Sequence, residues 1–378
     1  MRFVIAAGGT AGHIYPALAV AEYLQNAGHE LTFAGSPEGM EARLLADTDI
    51  AYVAFAARGF SRQHPLSLLS SAALLARSSR QARRWLRTYA PQAVASFGGY
   101  VSVPVGQAAS ELHIPLLVHE QNSSLGLANR HLAGRAQVLA LTYQAAAAGF
   151  AGKRHAPTCI AQTGTPVRAE FTSLADVSHA NRLRCQLRAN LGISQEATLL
   201  LVFGGSQGAR HINSTLSALA QRLLTNPQLA VLHSTGTRDF ATVRAKLNTH
   251  LSQAEASRWH LIDYCTQMPA ALAAADLIVA RAGASSLAEI AAARRPALLV
   301  PYPYATNNHQ EHNAAALVAA GAAVMVLDRD LDTPLFVEQL EALLADTERR
   351  ECMAQAATLL PSQDATAEVA RLLCEIAL

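Results

Sequence analysis

The chain is short of charge: only 15% of its 378 residues are Asp, Glu, Lys or Arg, and they balance to +2. So small an excess gives no general attraction to nucleic acid, and none is expected as a partner. Long apolar runs are also missing. The opening run, Phe3-Val4-Ile5-Ala6-Ala7, meets glycine before it could form the core of a signal peptide. The stretch around Ala270 to Ala280 carries Asp276 and falls short of the roughly 18 residues that a membrane span needs. Neither a signal peptide nor a transmembrane helix is expected. The five cysteines, at 159, 185, 265, 352 and 374, show neither close pairing nor metal-ligand spacing. They fit reduced thiols serving as small core residues in a cytosolic protein. No glycine turn completes the six-residue dinucleotide fingerprint, and none is followed by the Lys-Ser/Thr pair of a P-loop, so a standard NAD or ATP site is disfavoured.

What the chain does have is apolar bulk, 51% hydrophobic residues rich in Ala and Leu, as packed helices over buried sheets require. At 378 residues it exceeds what one hydrophobic core usually serves, and two domains follow. Apolar runs at 2–7, 31–35, 50–55, 93–97, 115–119 and 137–141, then at 198–203, 229–234, 259–262, 276–280, 297–301 and 323–327, alternate with helical patterns. This is the signature of parallel sheets covered on both faces, an α/β protein. Thr163-Gly164-Thr165-Pro166-Val167-Arg168 supplies turn residues between the halves. The expected division is 1–165 with a last helix from 362 to 378, against 166–361. Pro361 separates that helix, which is expected to return to the first domain.

Two strand-like runs break into glycine turns at equivalent places, Gly8-Gly9-Thr10-Ala11-Gly12-His13 and Gly204-Gly205-Ser206-Gln207-Gly208-Ala209. Such turns bring backbone N–H groups and a helix N-terminus close to an anion, and a diphosphate suits a pair of them. His13 falls at a helix start, which disfavours imidazolium. A neutral ring there can accept a proton from an attacking hydroxyl, although a cap or packing role fits the position equally well. His119-Glu120-Gln121-Asn122 ends a strand-like segment on the ligand edge of a parallel sheet, and His309-Gln310-Glu311-His312-Asn313 forms a second polar cluster. Neither has zinc-site spacing, no metal is expected, and hydrogen bonding to a polyhydroxy ligand accounts for the amides. Gly283-Ala284-Ser285-Ser286 opens another helix, with Glu289 one turn inside it, where a carboxylate can accept both hydroxyls of a ribose. Asp47-Thr48-Asp49 precedes a strand and so belongs to the opposite edge, as a solvated turn. Arg77, Arg80, Arg83, Arg84 and Arg87 share about a third of a helical circumference, flanked by Leu74 and Trp85. That stripe suits an anionic membrane surface, at roughly 1 kcal/mol per arginine.

Taken together, the turn at 8–13, Gly98-Gly99-Tyr100-Val101-Ser102, the run at 119–122, Pro166-Val167-Arg168, the turn at 204–209, Arg281 to Glu289, and His309-Gln310 with Asn313 resemble the MurG family. These are the N-acetylglucosaminyltransferases that complete the lipid-linked disaccharide of peptidoglycan. The resemblance spans both halves in order. It implies a GT-B fold, two Rossmann-like domains facing across a cleft. It also implies transfer, with inversion, of N-acetylglucosamine from UDP-N-acetylglucosamine to the C4 hydroxyl of undecaprenyl-diphosphate N-acetylmuramoyl-pentapeptide, without a cofactor.

By the same resemblance Ser206 and the Gly204 turn face the donor diphosphate, and Ala284, Ser285, Ser286, Leu287 and Ala288 take part in donor binding. Glu289 faces the ribose, the backbone near Cys265 the uracil, and Gln310, Asn313 and Asn122 the transferred sugar. Thr10, Ala11 and Gly12 border the donor. Arg168 meets the nucleotide portion through its base or phosphate. Gly9, Gly98, Gly99 and Tyr100 receive the acceptor, and His13 is the candidate base. The implied location is the cytoplasmic face of the inner membrane, as a peripheral protein with cell-wall synthesis proteins as possible partners. Two other readings stay open on these residues, a UDP-N-acetylglucosamine 2-epimerase and a non-catalytic, membrane-associated UDP-sugar sensor. Ala11 stands where many relatives carry a third glycine, and Asn307-Asn308 stand where acids often precede the His-Gln pair.

Overall fold

The computed structural model describes residues 1–46, 48–57, 66–150, 156–205, 208–358 and 364–378, with the side chains of 66–70 and 149 left out of the description. The chain divides into two compact units, Met1–Arg168 with Asp364–Leu378, and Ala169–Gln363. Each is a parallel sheet with helices on both faces, the architecture that alternating strands and helices dictate.

The first unit holds β1 (Arg2–Ala6), β2 (Glu30–Gly35), β3 (Ala51–Ala54), β4 (Ala93–Ser96), β5 (Leu116–Glu120), β6 (Val138–Leu141) and β7 (Cys159–Gln162) in the order β3-β2-β1-β4-β5-β6-β7. The second holds β8 (Thr198–Phe203), β9 (Leu229–Ser234), β10 (Trp259–Ile262), β11 (Leu277–Ala280), β12 (Ala297–Leu299) and β13 (Ala323–Met325) in the order β10-β9-β8-β11-β12-β13. Every run expected to be a strand is one. The strand that was not expected, β7, is a mostly exposed edge strand, so its residues need no apolar run.

Because parallel central strands are covered on both faces, successive residues of β1 enter different cores. Phe3 and Ile5 pack with Ile14, Leu18 and Leu24 of the helix Ala11–Asn26, and with Val369, Leu372 and Leu373 of the last helix, Ala365–Glu375. Val4 and Ala6 face Leu86, Val105 and Leu132 on the other side. The last helix is also tied at its start, where Thr366 Oγ1 donates to Val167 O and accepts from Val167 N–H. Pro361, expected to set this helix apart, lies outside the described residues. In the second unit Leu200, Val202 and Val279 share a core with Ile212, Leu216, Phe336 and Leu340.

Arg188, fully buried in the helix Val177–Asn190, is neutralised where it lies. It donates to the carbonyls of Ala274, Ser194, Gln195 and Ala197 and to Asp276 Oδ2 at 2.6 Å, and so locks that helix to the start of β8 and β11. Only Cys265 of the cysteines is a core residue. Cys159, Cys185 and Cys352 are exposed and Cys374 is half-buried, because the first three lie on an edge strand or on solvent-facing sides of helices.

Candidate functional site

Strand order fixes where each unit can bind. In both sheets the order reverses beside a central strand, between β1 and β4 in the first and between β8 and β11 in the second. A parallel sheet opens a crevice at the carboxyl ends of the strands on either side of such a reversal. Each of these four strands ends there in a glycine turn, at Gly8, Gly98, Gly204 and Gly283.

In the first unit the two turns touch backbone to backbone. A Cβ on Gly99, whose φ is +84°, would sit 2.1 Å from Gly8 O. A Cβ on Gly98, at φ +100°, would press against the His13 ring, 3.1 Å from Nε2. Both positions need glycine for conformation and for space at once. Thr10 is the N-cap of the helix Ala11–Asn26, so Ala11, Gly12 and His13 are its first three residues. The Thr10 side chain makes no capping hydrogen bond to that helix start. Thr10 Oγ1 instead lies 3.1 Å from His13 Nδ1, which also lies 3.3 Å from Gly8 O. A carbonyl only accepts, so the proton belongs on Nδ1 and the basic lone pair on Nε2, the nitrogen beside Gly98. Tyr100 is exposed at the rim of the same turn. The Arg168 guanidinium stacks 4.7 Å from the Tyr15 ring on the same helix.

The run at 119–122 does something other than what its polarity suggested. His119, Glu120 and Gln121 are buried and engaged within the unit. Glu120 accepts from Asn122 N–H and Nδ2 through one oxygen, and from Gly126 N–H and Asn129 Nδ2 through the other. Gln121 Nε2 donates to Phe97 O, and His119 Nε2 donates to Gly164 O at 2.9 Å. Burial lowers the His119 pKa to about 4, so the ring is neutral. These residues hold the loop in shape, and Asn122 is the half-exposed member. Sequence reasoning missed Asn129, which no motif flags but which donates to both Glu120 and the His119 carbonyl.

In the second unit Gly204 and Gly208, after β8, are closely packed. A Cβ on Gly204 would meet Ala209 N at 2.3 Å, and one on Gly208 would meet Thr235 O at 2.3 Å. Ser206 lies outside the described residues. The helix Arg210–Leu223 follows without a side-chain cap, as does the helix Ala284–Ala292 after Gly283. Ala284, Ser285 and Ser286 form the first turn of the latter, and Glu289, half-buried, lies beyond it. Leu287 and Ala288 are buried, and Leu287 N–H already donates to Gly283 O, so these two belong to the helix interior. Gln310 Oε1 accepts from Ala282 N–H and Tyr302 N–H, while buried Asn313 donates from Nδ2 to Ala282 O. Both amides thus grip the backbone just before Gly283. Asn307 and Asn308 occupy the left-handed region, with φ of 54° and 51°, which asparagine tolerates better than most residues. Cys265 is buried in the segment after β10, and burial raises its thiol pKa.

Away from these turns, Arg77, Arg80, Arg84 and Arg87 are exposed on the helix Leu66–Tyr89, Leu74 is half-buried, and Arg83 pairs with Glu111 at 3.5 Å. The structure turns Trp85 inward. Its ring stacks on Tyr89 at 5.0 Å and meets Phe55 edge-on at 5.8 Å, because its place on the helix borders the buried Ala82 and Leu86. Among the described residues no group of three or more His, Cys, Asp or Glu could hold a metal ion, and no helix is long and apolar enough to cross a membrane. Asp49 is exposed, and Asp47 lies outside the described residues.

Residues 3–141 match the glycosyltransferase family 28 N-terminal domain and residues 199–369 its C-terminal domain. The chain is 39% identical over 356 residues to the UDP-N-acetylglucosamine–N-acetylmuramyl-(pentapeptide) pyrophosphoryl-undecaprenol N-acetylglucosamine transferase of Halothermothrix orenii, covering 94% of this chain and 93% of that protein. The chain belongs to the MurG family. The crystal structure of Acinetobacter baumannii MurG matches with a TM-score of 0.74 at 30% identity, covering 99% of both chains. This establishes the GT-B fold of two Rossmann-like domains and a hexosyltransferase of glycosyltransferase family 28. UDP-N-acetylglucosamine 2-epimerase from Neisseria meningitidis, with a TM-score of 0.67 at 16% identity, shares the fold alone.

The packed turns of this MurG-family chain make a stability prediction. Gly9 and Gly99 both have positive φ, but nothing lies within 4 Å of a Cβ on Gly9. Gly9→Ala should cost about 1 kcal/mol from backbone strain, whereas Gly99→Ala, which also drives an atom into Gly8 O, should cost at least about 3 kcal/mol. Urea unfolding of the two variants measures the difference.

Proposed function

We propose that this chain transfers N-acetylglucosamine from UDP-N-acetylglucosamine to the C4 hydroxyl of undecaprenyl-diphosphate N-acetylmuramoyl-pentapeptide, with inversion at the anomeric carbon. The observation that carries this reading is the near full-length similarity, at 34 to 39% identity, to transferases whose names state that donor and acceptor. The geometry supplies parts that the chemistry needs.

The second unit takes the donor. Its helix starts at Arg210 and Ala284 point N–H groups and the positive ends of helix dipoles toward the crevice, where a diphosphate is held and its growing negative charge is stabilised as UDP departs. Each well-placed donor of this kind is worth about 2.7 to 4 kcal/mol in the transition state. The Glu289 carboxylate accepts from the ribose hydroxyls. Gln310 and Asn313, already gripping Ala282, hold the Gly283 turn at the height these contacts require.

The first unit serves the acceptor. The C4 oxygen attacks the anomeric carbon on the face opposite UDP, the bond from that carbon to the β-phosphate oxygen breaks, and its electron pair leaves with UDP. His13 Nε2 receives the hydroxyl proton while Nδ1–H stays on Gly8 O and Thr10. The acceptor diphosphate rests on the turns at Gly9 and Gly98-Gly99-Tyr100. The exposed arginines of Leu66–Tyr89, with Leu74 beside them, bring this unit to an anionic membrane surface on which the acceptor is anchored.

A UDP-release assay tests the reaction. Release should be fast only when the lipid-linked acceptor is added. Conversion of the donor to its 2-epimer without acceptor would favour the epimerase instead, and UDP binding with no turnover under any condition would favour the sensor. His13→Ala should lower kcat by about 100- to 10,000-fold while the KM for the donor changes little. Unchanged turnover would remove His13 from the chemistry.

A further inference from the structure

An ion-pair network that no motif announced lies behind both donor-side turns. His211 is the second residue of the helix Arg210–Leu223. Its Nδ1 lies 2.8 Å from Asp328 Oδ2 and its Nε2 lies 3.0 Å from Asp332 Oδ2. Carboxylates only accept, and a neutral imidazole has one N–H to give. Both contacts are hydrogen bonds only when both ring nitrogens carry protons. Asp328 continues the chain through its other oxygen, which pairs with Arg281 at 2.5 Å. Arg281 is buried, donates to the carbonyls of Val300 and Pro301, and stands two residues before Gly283.

We infer that His211 is a positioning residue for the donor: its doubly protonated ring clamps the first turn after the Gly204 loop to Asp328 and Asp332, and through Asp328 and Arg281 to the loop that carries Gly283. Two separate helix starts are thereby held at one spacing, which a diphosphate spanning them requires. The coupling to donor affinity rests on the donor reading above, whereas the clamp itself does not.

The charged groups around the ring are Asp328 and Asp332 from the turn packed on this helix, with Arg281 behind Asp328. Thr215 on the same helix donates to Asp332 Oδ1, and neighbouring Arg210 turns away to Asp239. Burial by itself would lower the His211 pKa, but the bonds to the two aspartates outweigh it and raise it above 6.5. A raised folded-state pKa means that the clamp is fully present below the unfolded value of 6.5 and is lost as pH rises through the higher folded value.

The test is made on the full chain with UDP as the probe. Nitrogen-15 signals of the His211 ring, followed in the UDP-free protein between about pH 5.5 and 9, should show both nitrogens protonated near neutrality and deprotonation above the ordinary imidazole range. The UDP dissociation constant should rise about two- to fivefold across the same titration, as expected of a partly solvated ion pair. His211→Gln should bind UDP more weakly at the acid end and lose the pH dependence. Asp332→Asn, altering an exposed carboxylate, should move both the ring deprotonation and the rise in the UDP dissociation constant to lower pH, while Glu341→Gln, which breaks the exposed pair with Arg222 of the helix Arg210–Leu223, should leave binding unchanged. A singly protonated ring at neutrality would overturn the clamp. A His211→Gln protein with wild-type UDP affinity and pH profile would overturn the coupling. If wild type binds no UDP at any pH, the donor reading falls and the coupling with it, and the ring signals still decide the clamp.

Discussion

The structure depends on one constraint, the reversal of strand order in a parallel sheet. It leaves two turns side by side at the carboxyl ends of neighbouring strands, and only residues without a side chain let them close. Gly99 against Gly8 O shows this in the first unit, while in the second Gly204 packs on Ala209 N and Gly208 on Thr235 O, which follows β9. Once the turns are closed, the helices that follow begin at the crevice with no capping hydrogen bond from the side chains of their N-cap residues. Ligand-receptive amides are thus a consequence of topology, repeated because the fold is repeated.

The polar residues near these turns divide into those that can reach a ligand and those that hold the backbone. Glu120 is the clearest of the second kind, with both carboxylate oxygens taken by four donors from the loop that follows it and the helix Leu127–Ala133. Gln310 and Asn313 act on one peptide, Ala282, from its N–H and carbonyl sides. Arg281 and the Asp328–His211–Asp332 group extend that support to the neighbouring helix. In the first unit His13 is held between Gly98 and the contacts of its Nδ1 with Gly8 O and Thr10 Oγ1.

Much of this was legible in the sequence. Apolar runs gave the strands, and glycines at the ends of β1 and β8 gave the crevice, because both signals are local and each has a single physical cause. The edge strand β7 left no trace, since a strand with exposed side chains carries no burial pattern. Polarity at 119–122 was visible, but not that it faces inward, since Asn129, seven residues beyond, is what satisfies it. Trp85 read as a membrane group until its neighbours Phe55 and Tyr89 were seen. His211 and Asp328 are 117 residues apart, a separation at which no spacing rule operates.

Whether paired helix starts in the second unit grip a diphosphate is decided by a crystal structure of the chain with UDP-N-acetylglucosamine. Diphosphate oxygens should lie within hydrogen-bonding distance of backbone N–H groups at the starts of the helices Arg210–Leu223 and Ala284–Ala292, with the ribose hydroxyls on Glu289. A nucleotide held away from both helix starts, with Glu289 untouched, would contradict that grip.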